Sequence, residues 1–160
     1  MNFPYPRLQF GIRTLIFSAL LAINIYILAA PAVDALWLAG FVVISFLAIV
    51  LVSATPLFTT HEIDDEGIRL RQGLLLDVML PFEEVESVSE LQTKIWTWGM
   101  LPLGARGRIV LANGNRNLVS ITLKKGRRFP MLLWRSGKEI IIDLVNPSEF
   151  VKFANAKLQG

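Results

Sequence analysis

"TTHEIDDEGIRLRQG", residues 59–73, follows the most apolar part of the chain and holds its single histidine, His61, beside Glu62, Asp64, Asp65 and Glu66. A histidine among acids suggests a metal or proton-transfer site, but the spacing does not support one. A calcium loop places acids at alternate positions with a bidentate Glu further on, and neither occurs here. A zinc site without cysteine needs more than one histidine, or carboxylates aimed at the ion. The residues that follow decide the matter. Ile68 and Leu70 alternate with Arg69 and Arg71, the period of a half-buried strand. "DDEG" (64–67) is therefore expected to be a hairpin turn, with Asp65 favouring the turn and Gly67 supplying a positive φ.

The same period continues toward the C-terminus. In "NLVSITLK", Val119, Ile121 and Leu123 are expected inward and Ser120 and Thr122 outward. Turn signals at 113–115 ("NGN"), 124–128 ("KKGRR") and 135–138 ("RSGK") separate such runs with no helix between them. The pattern predicts an antiparallel meander of about seven short strands. At the end, "NPSEFVKFANAKL" reads as a helix: Asn146 can cap, Pro147 fits the first position and Glu149 can close a capping box.

The residues before Thr59 have another character. Mean hydropathy is +0.51 and 53% of the 160 residues are hydrophobic, more than an ordinary soluble domain carries. Residues 14–33 and 35–60 are free of charge on either side of Asp34, and crossing a bilayer takes about 20 apolar residues. "APAVDA" supplies Pro31 and Asp34 for a turn between them. A cleaved signal peptide is disfavoured because a second apolar run begins almost at once. The expectation is a two-helix transmembrane hairpin over 1–57, with spans at about 13–33 and 35–56, and a cytoplasmic domain over 58–160. Arg7 and Arg13 before the first span place both termini in the cytoplasm by the positive-inside rule, making a multi-pass protein of the inner or plasma membrane. Asn24 and Ser45 fall at nearly equal depth in such a hairpin and form an expected polar pair, Asn24 bonding to the second span.

Two apolar runs followed by "HEIDDEGIRLRQG", "LPFEEVESV" and a terminal "IDLVNPSEFVKFANAKL" resemble prokaryotic membrane proteins with a pleckstrin-homology-like domain. The resemblance covers about the last hundred residues. It implies a strongly bent antiparallel sheet or partly open barrel plugged by the terminal helix, and functions that are mostly binding and scaffolding. Eukaryotic phosphoinositide-binding members carry their basic residues around the first hairpin. Here that hairpin is acidic, so inositol-phosphate recognition does not carry over.

No enzyme signature stands out. No Gly-rich loop joins a strand to a helix, no G-x-S-x-G occurs, and "GARGR" (104–108) has no helix after it. With no cysteine, disulfides and thiolate chemistry are excluded. Neither a catalytic residue, a metal nor a cofactor is assigned.

Charge distribution points to binding. Residues 60–93 carry nine acids against Arg69 and Arg71, and residues 94–138 carry ten basic residues and no acid, while the whole chain is only +3. Neighbouring strands could neutralise one another. Alternatively, a basic face made from Lys94, Arg106, Arg108, Lys124, Lys125, Arg127 and Arg128 meets anionic headgroups, since Thr59 leaves the apolar region with almost no linker. Continued alternation from Glu90 sets Trp96 and Trp98 on the face of Gln92 and Lys94, as interface anchors or contact hot spots, or as core beneath the terminal helix. The expected function is a non-enzymatic, membrane-anchored binding or scaffolding module in contact with anionic lipid. The alternative is a membrane-bound assembly or immunity factor with a protein or peptide partner, and a homo-oligomer is a further possibility. Nucleic acid is a poor partner for a patch held against a bilayer that would repel it.

Overall fold

The structure, a computed structural model, describes residues 1–4, 6–28, 34–74, 76–92, 101–103, 107–112, 116–129 and 135–159. Strand β1 (Asn2–Pro4) leads into helix α1 (Arg7–Leu28). Helix α2 (Ala35–Ile49) begins at Asp34, whose carboxylate accepts the Leu36 N–H at 2.7 Å. The strands that follow are β2 (Thr60–Ile63), β3 (Gly67–Gln72), β4 (Leu76–Pro81), β5 (Val85–Leu91), β6 (Leu101–Leu103), β7 (Arg108–Leu111), β8 (Leu118–Phe129) and β9 (Arg135–Asp143). Helix α3 (Pro147–Gln159) ends the chain.

The transmembrane hairpin expected from the charge-free runs is corrected. Among the described residues one helical stretch, Phe10–Leu28, is long and apolar enough to cross a membrane. Helix α2 has 15 residues, about 22 Å at 1.5 Å per residue against a hydrocarbon core of about 30 Å. Beyond Ile49 the winding changes to a π-helix over Val50–Ala54 and a 3-10 helix over Thr55–Phe58. Pro56 has no N–H to continue the ladder, and the Thr55 hydroxyl bonds back to the Leu51 carbonyl at 2.7 Å. Counting apolar residues is blind to this change of winding. The multi-pass localisation with both termini cytoplasmic falls with the second span.

The barrel is also corrected. Among the described residues the strands form two open sheets, β1-β2-β3-β4 and β5-β8-β9-β7-β6, and neither closes on itself. The chain leaves β4 through a 3-10 turn, Phe82–Glu84, and passes to the other sheet without pairing β4 to β5. Nine strands rather than about seven are present among the described residues. The meander is broken because β7 pairs with β9 in parallel. The extra first strand comes from before the helices: Phe3 pairs with His61 and Pro4 with Thr60. The chain thus leaves and re-enters the β domain side by side.

One core is shared by the two sheets and α3. Ile63, Ile68, Leu70 and Leu80 meet Val119, Ile121, Ile140 and Ile142, and Phe150 and Ala154 of α3 cover them. Phe3 packs edge-on against Phe150 with ring centroids 4.9 Å apart. The "DDEG" segment is a turn held by Asp64, whose carboxylate accepts the N–H groups of Glu66 and Gly67, each at 2.9 Å. Gly67 is needed for a reason other than the expected positive φ. It lies in β3, where a Cβ would run into the backbone carbonyl of Leu80 on β4. Ser120 is not outward: β8 lies between β5 and β9, and the buried Ser120 hydroxyl donates to Glu139 at 2.9 Å.

Candidate functional site: a basic groove beside the β8 strand edge

The site starts from an irregular strand. Between the pairs Thr122–Glu139 and Arg127–Gly137, β8 advances five residues while β9 advances two, so β8 bulges at 123–126. The bulge carries Lys124, Lys125 and Gly126 into solvent. Arg128 is exposed beyond it, Arg127 is half-buried, and Phe129 is buried. Residues 124–128 line a groove of 630 Å³ whose opposite wall is Glu83 and Glu84 of the 3-10 turn.

Electrostatics divide the basic cluster. Arg127 is fixed: its guanidinium donates to the Met79 carbonyl and to the Glu84 carboxylate, each at 2.8 Å. Lys138 lies 3.3 Å from Glu86, and Arg108 pairs with Glu139. Lys124, Lys125 and Arg128 have no acidic partner among the described residues. Much of the acidic stretch is neutralised locally. Arg69 bonds Asp77 at 2.7 Å and holds its carboxyl below the usual range, and Arg71 reaches Glu62 at 3.0 Å. Lys157 of α3 does the same for Asp65.

Lys94, Trp96, Trp98 and Arg106 lie outside the described residues. Asn24 and Ser45 line one apolar groove of 330 Å³ between α1 and α2, together with Phe17 and Phe41. The Asn24 amide donates to the Leu20 carbonyl of its own helix at 2.8 Å, rather than to α2.

Along β9 the groove is set apart from α1. Arg13 of α1 is within electrostatic reach of Asp143 at the end of β9, and Val145 bonds the Pro4 carbonyl at 3.1 Å. Gly137, the pairing partner of Arg127, is six residues back along β9 from Asp143, about 20 Å at the rise of a strand. The pairing of Glu84 with Arg127 and of Arg13 with Asp143 is not legible in the sequence. The lone Asp in "IIIDLV" was the available signal for a buried charge.

The described residues define a β-rich domain with apolar helices, one of them able to cross a membrane by length and composition, and no catalytic constellation is evident in them. No three His, Cys, Asp or Glu side chains gather as a metal site among them. Comparison with family models, curated proteins and solved structures finds no match.

Proposed function

We propose that this chain is a membrane-associated, non-enzymatic binding module. Its apolar helices hold the β domain at a bilayer, and its basic groove receives an anionic partner. One observation carries the reading: three exposed cations, without acidic partners among the described residues, face a groove at one end of a domain whose other end joins the apolar helices. Leu20 and Ile23 of α1, like Trp37, Ile44 and Phe46 of α2, are exposed apolar side chains with no protein covering them. The pleckstrin-homology-like resemblance belongs to this proposal and draws support from two facing sheets covered by a C-terminal helix.

Sequence alone favours anionic headgroups as the partner. A separation of about 20 Å along β9 exceeds two Debye lengths of about 8 Å at physiological salt, so the bilayer holding α1 attracts the groove weakly unless the strand lies along it. That distance favours the other reading, a protein segment. The membrane part is tested with the full chain. It should stay with membranes through alkaline carbonate extraction, and Leu20→Asp with Ile23→Asp should release it. A full chain recovered in the soluble fraction would refute the reading.

A further inference from the structure

The groove has a backbone feature that the charge pattern alone does not reveal. β5 pairs with β8 only as far as Val85–Leu123. Beyond Leu123, β8 keeps β9 on one side, at Arg127–Phe129, while its other edge faces the groove with no strand beside it among the described residues. An open edge presents unpaired N–H and C=O groups in register for another strand. Around this edge stand Lys124, Lys125 and Arg128; of the two carboxylates on the opposite wall, Glu84 is engaged by Arg127 and Glu83 has no cation partner among the described residues.

We propose that this edge binds an extended, acidic segment of a partner protein, which adds to β8 as an extra strand. The inference rests on the binding-module reading and names its partner class. Main-chain hydrogen bonds along the edge would supply affinity, and alternate side chains specificity, as in other strand-addition complexes. The cations set the sign: they repel a basic strand and neutralise carboxylates on an acidic one. Exposed lysines also protect an edge from unwanted pairing, and here the same residues do both, barring neutral or basic strands and admitting acidic ones. Arg127, clamped to Met79 and Glu84, keeps the far wall in place. Lys124 and Lys125 are both exposed at the bulge, where β8 departs from its register with β9.

The test uses the full chain in nanodiscs of neutral phosphatidylcholine and three fluorescent probes. These are a short peptide of alternating Glu and Val, the same peptide with Pro replacing each Val, and a single-stranded oligonucleotide of equal charge. The Glu-Val peptide should bind, and the Pro version, which lacks half of the N–H donors, should bind about tenfold or more weakly. Lys124→Glu with Lys125→Glu and Arg128→Glu should cost a similar factor, shrinking at high salt. These side chains are exposed and make no ion pair among the described residues, so the variant should melt with the parent, and Lys124→Gln with Lys125→Gln gives a milder check. Equal binding of both peptides and the oligonucleotide would overturn the proposal, leaving charge without strand addition. So would no peptide binding, or displacement of the peptide when phosphatidylglycerol is built into the nanodisc. Retention of the chain in carbonate-washed membranes is read separately, so loss of the peptide site and loss of membrane association are distinguished.

Discussion

His61 shows what a single buried side chain does to the pH response of the domain. It lies on β2 with no exposed surface, and its Nδ1 accepts the backbone N–H of Arg71 at 3.3 Å, a role open only to a nitrogen without a proton. Burial pushes its pKa from 6.5 to about 3. The folded chain therefore binds no proton at His61 where the unfolded chain binds one. The stability that the neutral ring confers is full above 6.5 and is lost as pH falls toward about 3, by about 1.4 kcal/mol per pH unit. Asp65 and Asp77, held low by Lys157 and Arg69, lose their contributions only below their ordinary value of 3.8. Denaturant unfolding of the full chain in detergent, between about pH 6.5 and 4.5, isolates the histidine. His61→Asn keeps an acceptor near Nδ1 without the titration and should flatten the slope. An unchanged slope would assign the pH dependence to another group. The histidine that looks like a ligand in sequence is thus a core residue, and Asp64 works as a turn former.

At the scale of elements, the junction of α1 with β9 is where helix and domain are coupled. Phe10 and Arg13 are one turn apart and both buried, with the guanidinium 4.8 Å from the Phe10 ring centroid. The buried Asp143 ends β9 within reach of the same charge. Removing one member of a buried charge pair costs about 3–5 kcal/mol, because the other is left uncompensated. Arg13→Leu and Asp143→Leu should each destabilise by about that amount, and the double variant by less than the sum, in denaturant titrations of the detergent-solubilised chain. Strict additivity would mean the two charges do not interact. In the sequence Arg13 reads as a flanking charge of an apolar run, and nothing local distinguishes a headgroup contact from a contact with a strand 130 residues later. The groove follows the same logic. The run Lys124–Arg128 is legible as a basic turn, but the partners of Arg127 are 43 and 48 positions away. Which cations are neutralised, and which face outward unpaired, depends on contacts at that range.

Across the whole molecule, the first residues of the chain belong to the core of the last hundred. Phe3 is 2% exposed, packs edge-on against Phe150 of α3, and is carried on a strand paired to β2. Met1 completes the edge, its amino group donating to the Ile63 carbonyl at 2.6 Å. The opposite connection is equally close. The Thr59 and Thr55 hydroxyls accept the N–H groups of Gly73 and Leu74, at 2.9 and 3.2 Å. The helical segment is therefore clamped to the domain at both of its ends. Phe3→Ala should destabilise the β domain by about 3–5 kcal/mol, read as a lower melting temperature of its near-ultraviolet signal. An unchanged melt would show that residues 1–4 fold independently of the domain.

What the sequence determined by itself is the set of local features. Alternation of apolar residues marks β3 and the first half of β8, the Asn-Pro-x-Glu start marks α3, the acidic turn ends β2, and the charge-free runs mark apolar helix. Each is legible because its cause, side-chain period or cap chemistry, lies within a few residues. Only the tertiary structure decided the rest. Helix α2 stops after 15 residues because its winding changes ahead of Pro56. The sheets stay open because β4 and β5 part at a 3-10 turn, and β7 lies parallel to β9 because the pairing follows shared burial rather than chain order. β1 joins β2 across the helices for the same reason: Phe3 is removed from water only by packing against Phe150, a contact that no window of sequence contains.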